Sequence, residues 1–274
     1  MEIEYEIKPK ERLNLGLAEL WQYRELFYFF TWRDIKVKYK QTILGFAWAI
    51  LQPFLMMVIF SVFFGKALNV PSENLPYPIF VFTGLLLWNI FSTGITSAGN
   101  SMVSNANIIK KIYFPRLIIP ISSILVSLFD FLMACIIFIG MLIYFQIEIH
   151  ITNILLFVPL SIIITAISTF GLGTLLAALN IKYRDFRYII PFMVQVMLFV
   201  TPVIYPISII SNVWIKYILA LNPMYASITL FRTGFVNTPL DLNLIFISIG
   251  SSILLLLVGL YYFRKTESYF ADLA

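Results

Sequence analysis

The sequence predicts an all-α membrane protein. It should have an N-terminal amphipathic helix in the membrane interface, six transmembrane helices, and an outer re-entrant helical hairpin between helices five and six. Three observations carry this. Of 274 residues, 60% are hydrophobic and only 12% charged, against roughly a quarter charged in soluble domains. The mean hydropathy is +0.90. The charges also fall in clusters, separated by apolar runs long enough to cross a bilayer core of about 30 Å, which takes roughly 20 helical residues.

The elements follow in order. Residues 1–16, "MEIEYEIKPKERLNLG", alternate in charge sign and lack an apolar signal core, so they read as a cytoplasmic arm, with insertion resting on the first span. Residues 17–40 read as the interface helix. Leu17, Leu20, Trp21, Phe27, Tyr28, Thr31 and Ile35 recur at helical spacing, with Glu19, Gln22, Glu25, Arg33 and Lys36 mainly elsewhere on the wheel. Residues 41–264 form the six-helix domain and 265–274 a cytoplasmic tail. The first span lies between Lys40 and Lys66, and the second runs from Tyr77 towards Asn100. The third runs from Leu117 to about Phe145 and the fourth from Ile154 to Leu179. The fifth begins after Arg187 and meets Pro202 and Pro206; the sixth fills Leu242 to Phe263. The stretch after the fifth span is too apolar for a plain loop and too proline-broken for a span. Irregular backbone at membrane depth needs protein or a watery cavity around it, hence the expected hairpin.

Charge sets the orientation. With the N-terminus inside, 16 of the 19 basic residues are cytoplasmic, and only Lys66, Lys216 and Arg232 fall outside. Both termini are then cytoplasmic. "NIKYRDFRYIIP", from Asn180 to Pro191, becomes an inner elbow between spans four and five.

The sequence offers little for catalysis. It has one histidine, His150, and one cysteine, Cys135, so a metal site and an intrachain disulfide are not expected. No phosphate-cradling loop is present: the Gly65-Lys66 pair is followed by Ala67. The single acid within a span is Asp130, which costs about 2.5–3.5 kcal/mol at a helix centre on insertion scales. It reads either as an ion or proton relay or as a packing contact with Ser or Thr of another span. Two helices carry aromatic-and-amide stripes: Gln41, Gly45, Trp48 and Gln52 on span one, and Tyr188, Phe192, Gln195 and Phe199 on span five. Such stripes suit a pore face over which sugar rings slide, or helix packing joined by amides. Gly94 with Ala98, and Gly173 with Ala177, would let helices approach closely.

An ordered set of motifs spans most of the chain from about Leu17: "WRDIKVKYKQTILGFAWAILQP" (32–53), "IIKKIYFPRLIIP" (108–120), the elbow, "TPVIYP" (201–206), "NPM" (222–224) and "YFADL" (269–273). Together they resemble the membrane subunit of the ABC-2 type exporters of bacterial surface polysaccharides, the O-antigen and teichoic acid permeases. The resemblance implies a homodimer working with two copies of a separate ABC ATPase. This chain would then be a transport subunit and no enzyme, binding no cofactor itself, with ATP and Mg used by the partner. It implies a cytoplasmic gate at Leu44-Gly45, ATPase coupling through Lys110, Lys111 and Arg116, and a glycan channel lined by Trp48, Gln52, Tyr188, Phe192, Gln195 and Phe199. The expected location is the bacterial inner membrane, with a lipid-linked polymer such as O-antigen or teichoic acid as the expected substrate and no nucleic acid partner. Arg184 and Asp185 would fix the elbow, pairing locally or with Arg33 and Asp34. The alternatives are an ABC-2 drug or lipid exporter, or an ion-coupled secondary transporter using Asp130.

Overall fold

The computed structural model describes residues 17–40, 42–73, 75–236, 240–267 and 270. The expected arm (1–16), Gln41 of the first stripe, and most of the "YFADL" motif with the end of the tail lie outside the described residues. Those described are helical, with no strand among them. The helices are α1 (Leu17–Gln22), α2 (Arg24–Tyr39), α3 (Ala47–Phe60, continuing as a π-helix over Ser61–Ala67), α4 (Tyr77–Ser104), α5 (Ala106–Lys111), α6 (Ile118–Tyr144), α7 (Ile151–Lys182), α8 (Phe186–Val200), α9 (Val213–Ala220), α10 (Met224–Thr233) and α11 (Leu242–Glu267).

Among the described residues, five helices are long and apolar enough to cross a membrane: Ala47–Ala67, Tyr77–Ser104, Ile118–Tyr144, Ile151–Lys182 and Leu242–Glu267. These match expected spans one, two, three, four and six. The expected fifth span is the 15-residue α8, about 22 Å long at 1.5 Å per residue. It stops at Thr201, where the "TPVIYP" prolines end regular hydrogen bonding.

Helix α4 is the centre. In its most apolar window 83% of residues are buried within the chain, against 17% for α3. Helices α6 and α7 flank it, and α11 packs on α7. The small residues do allow close approach, as their spacing predicts. A Cβ on Gly173 would stand 3.0 Å from the Ala98 Cβ, and one on Gly94 would stand 2.5 Å from Thr169 Cγ2.

The expected interface helix is two pieces, broken at Tyr23. Helix α2 does not simply lie across the base of the bundle. Phe30 packs on Phe114, just before α6, at 5.7 Å between ring centroids, while Tyr39 reaches Phe129 near the midpoint of α6. The helix therefore climbs along the first half of α6. Its buried residues are Phe30, Ile35 and Tyr39, whereas Trp21 and Tyr28 are about seven-tenths exposed. Of the apolar positions the spacing marks, Leu20 and Ile35 are buried, while Trp21 and Tyr28 are turned out of the chain.

After α8, two short helices form a hairpin, α9 outside and α10 almost wholly buried. The turn between them is "NPM", where Asn222 Nδ2 donates to Thr201 Oγ1 at 2.7 Å and the Met224 N–H donates to Asn222 Oδ1 at 3.0 Å. Arg232 fixes α10 to α4. Its guanidinium donates to the carbonyls of Pro202 (2.8 Å), Val203 (2.8 Å) and Phe80 (3.1 Å) and to Thr83 Oγ1 (3.4 Å). It also lies 3.6 Å from the centre of the Phe80 ring. A planar fork with five donors can serve several carbonyls at once, and an ammonium cannot reproduce that geometry.

Arg232→Met should therefore destabilise the protein by about 2–4 kcal/mol, because unpaired buried acceptors cost about 1–3 kcal/mol each. Arg232→Lys should recover only part of the loss, and Lys265→Met, at an exposed position, should be nearly neutral. Equal unfolding midpoints in detergent for Arg232→Met and the parent chain would remove Arg232 from this role.

Candidate functional site: a polar cleft, an aromatic face and the loop after α4

The turn joining α2 to α3 is built around Gly45, at φ +51°. This left-handed conformation suits glycine; a Cβ there would meet nothing closer than the Tyr39 carbonyl oxygen at 4.0 Å, so conformation and not space selects the residue. The turn closes with Gly45 N–H on Thr42 O at 3.2 Å and Ala47 N–H on Leu44 O at 3.0 Å. Leu44 points outward. Phe46 folds back on Tyr39 and Phe129, at 4.8 and 5.8 Å between ring centroids.

Beside these rings sits Asp130. Lys38 pairs with one of its carboxylate oxygens, and the Tyr39 hydroxyl donates to the other. The partners of the intramembrane acid are therefore on α2, and not the Ser or Thr of another span. An acid that must leave water takes a cation and a donor when they are within reach, because charge-assisted bonds are the stronger ones. Burial first, and then the bond to Asp130 and its charge, push the Tyr39 phenol above its ordinary range, so it stays a donor. Lys38 remains 44% exposed at its side chain and Asp130 13%.

Trp48 and Gln52 of α3, with Asn89 and Thr93 of α4, close round this clamp to leave a crevice of about 60 Å³. That admits a few waters, since roughly 10–15 Å³ of such space holds one, but not a sugar ring. Trp48 is itself 46% exposed and presents its other side outward. The second stripe is wholly external: Tyr188, Phe192 and Phe199 are 80%, 67% and 58% exposed, and Gln195 is exposed between them. Helix α3 packs on α4 and α6, α8 on α4 and α7, and no α8 residue lines the Trp48 crevice. One chain does not bring the two stripes together in that crevice.

The expected elbow pairing does not form among the described residues. Arg33 binds Asp34 through Nε (2.9 Å) and Nη2 (2.7 Å) and reaches Asn105 Oδ1 at 2.9 Å. Arg184 and Asp185 are exposed, where pairing gains little, about 0–1 kcal/mol. The elbow is held instead by Asn180, whose amide donates to Gly99 O (2.9 Å) and Asn100 Oδ1 (3.1 Å), and by the fully buried Ile190.

On the loop after α4, Lys110 and Lys111 are exposed at the end of α5. Arg116 is different. It donates to the Glu267 carbonyl and lies 5.9 Å over the Phe270 ring, so it fastens the loop to the end of α11. Sequence reading missed the contributions of Lys38, Tyr39, Asn105, Asn180 and Arg232. An amide or a cation adjoining an apolar run is the available signal for Lys38, Asn105, Asn180 and Arg232; for Tyr39 it is only a phenol next to Lys38.

If the clamp joins α2 to α6, Asp130→Asn should lose about 1–2 kcal/mol, tempered by the exposure of Lys38. Combining Asp130→Leu with Lys38→Met should cost less than the sum of the two single changes. Additive losses in a double-mutant cycle on thermal unfolding would show that the pair is uncoupled.

Residues 25–236 match the family described as ABC-2 type transporter. The chain is 31% identical over 267 residues to the O-antigen export system permease protein RfbA of Klebsiella pneumoniae, covering 96% of this chain and 98% of that protein. It is 30% identical over 261 residues to the protein of the same name from Myxococcus xanthus, covering 93% and 98%. It is 24% identical over 247 residues to the polysialic acid transport protein KpsM of Escherichia coli, covering 86% and 91%. With five membrane-length apolar helices, the chain is an integral membrane protein, and it belongs to the ABC-2 type transporter family.

Proposed function

We propose that the chain is the permease subunit of an ATP-driven exporter that moves a lipid-linked cell-surface polysaccharide out of the cytoplasm. The observation that carries this reading is the near end-to-end similarity to O-antigen export permeases. Two copies form the pathway with two copies of a separate ATPase, which hydrolyses the ATP. Each copy crosses the inner membrane six times, α8 together with the Thr201–Pro206 segment completing the fifth crossing and α9–α10 re-entering from outside. Both termini are cytoplasmic.

The geometry suits a polymer that must slip and not be held. In this reading Trp48 and Gln52 of one copy face Tyr188, Phe192, Gln195 and Phe199 of either copy across the dimer, so rings offer faces to sugars and amides offer exchangeable hydrogen bonds. Exposed stripes on separate sides of one chain call for a second copy to enclose a path. The Leu44-Gly45 turn is the gate at the inner end, and Lys110 and Lys111 meet the ATPase, with Arg116 positioning their loop. With Asp130 paired to Lys38 and Tyr39, no acid within the described spans is left unpaired for ion coupling, so an ATP-driven mechanism is the better account.

Trp48→Ala should lower export by roughly tenfold while leaving assembly intact, because ring stacking worth about 1–1.5 kcal/mol is lost from a residue that is already half exposed. Val58→Ala and Val196→Ala should export normally. Radiolabelled glycan reaching the cell surface measures this; loss of export in all three variants would make the effect one of packing.

The six-crossing topology has its own check. In a chain with Cys135 replaced by Ser, an impermeant thiol reagent should label Glu73→Cys, Glu148→Cys and Lys216→Cys from outside and spare Tyr183→Cys. Protection of Lys216→Cys in intact cells would mean that α8 does not complete a crossing.

A further inference from the structure

We propose that the cavity at the elbow is a binding site for a phosphate group, held by Arg184 and Arg187. The cavity has a volume of about 670 Å³ and lies among the ends of α4 and α7 and the start of α8. That is within the roughly 300–1,000 Å³ of ligand pockets. Its walls include Asn100 and Ser104 of α4 and Asn180 of α7, with Arg184 and Arg187 at the mouth.

The chemistry of the wall points to an anion. Neither Arg184 nor Arg187 makes a side-chain hydrogen bond or ion pair among the described residues. Arg33, by contrast, is held by Asp34 and Asn105, and Arg116 and Arg264 by Glu267, while Arg24 rests on the Trp21 ring. The nearby charges are Lys182 and Asp185, both exposed and neither lining the cavity. The amides cannot compete for a ligand. Asn180 is committed to Gly99 and Asn100, and Asn100 Nδ2 donates to Thr96 O at 2.9 Å; they set the shape of the wall. The Ser104 hydroxyl, without a partner among the described residues, is a further donor.

Two guanidinium forks three residues apart, joined by the Arg187 N–H on the Arg184 carbonyl at 3.3 Å, present more donors than one carboxylate can accept. A phosphate offers oxygens to both forks. The N-terminal end of α8, a 15-residue helix, adds its positive end to the same place. The ligand is therefore a phosphate, either the headgroup of an anionic phospholipid or a soluble phosphate or pyrophosphate. The inference does not depend on what the exporter carries.

The test uses the purified full chain in detergent. Native mass spectrometry reads retained phosphatidylglycerol against phosphatidylcholine, and thermal shift reads binding of inorganic pyrophosphate. Arg184→Gln with Arg187→Gln should weaken phosphate binding about tenfold or more, in whichever of the two assays detects it. Lys110→Gln with Lys111→Gln, an equal loss of charge on the same side, should not. Ser104→Phe, which fills the cavity without changing charge, should weaken binding as well. Retained phosphatidylglycerol that pyrophosphate does not displace assigns the site to a lipid; an arginine-dependent pyrophosphate shift assigns it to soluble phosphate. Equal losses in the arginine and lysine variants would reduce the effect to diffuse positive charge and overturn the site. So would undiminished binding in the arginine variant.

Discussion

Between Val200 and Met224 the chain leaves long regular helix, and it can do so against an apolar core because the Arg232 guanidinium takes up the carbonyls of Pro202 and Val203. A backbone carbonyl at such a place has no water to turn to, and each one left unpaired is costly. Much of the half of the fold that holds α9 and α10 follows from this. With Arg232 also bonded to Phe80 O, α10 is set against the start of α4. Ser248 then extends the network to α11, accepting from the Ala226 N–H at 3.0 Å and donating to Asn222 O at 2.8 Å. A cation without a carboxylate partner among the described residues is sustained there by carbonyl dipoles and the Phe80 ring.

The other half is tied by polar links of a different kind. Arg33 joins α2 to Asn105 at the start of the loop after α4, Arg116 joins the end of that loop to α11, and Lys38 with Tyr39 join α2 to the middle of α6. Helix α2 thus touches the loop at one end and leads into the Gly45 turn at the other. A displacement of the loop can reach the turn through one helix, with no flexible segment between Arg33 and Tyr39. The apolar cluster of Leu20, Phe30, Ile109, Phe114, Phe263 and Phe270 packs the same region, so these polar contacts sit within a close-packed base.

Hydropathy made most of this readable. Five spans and their order follow from apolar runs of the right length, interrupted by charge only at Asp130, and the small-residue spacings anticipate close helix approach, which the structure places between α4 and α7. Proline position marks where α8 ends, although residue counting alone does not reveal how short it is. What the pattern could not supply was partner choice. Lys38 reads as an interface cation until Asp130 is placed beside it, and Arg232 reads as one of three outer charges until its carbonyls converge. Arg184 and Asp185 look like a salt bridge in one dimension; in three, both face water, and Asn180 and Ile190 hold the elbow. The burial of Phe30 and Tyr39 on α2 is set by the Phe114 and Phe129 rings that they meet, which no periodicity in α2 encodes. The exposed stripe on α8 was readable because its spacing is helical and its surroundings are apolar.

That stripe, with Trp48, is where the functional account is most exposed. An aromatic and amide face turned out of the chain must meet lipid, a second copy, or the polymer. A photoreactive amino acid at position 48 or 199, activated in membranes actively exporting glycan, distinguishes them directly. The account predicts crosslinks to the growing polysaccharide at both positions, lost when ATP is depleted. Crosslinks to lipid alone at both positions would contradict it, and the stripes would then be membrane-facing surfaces.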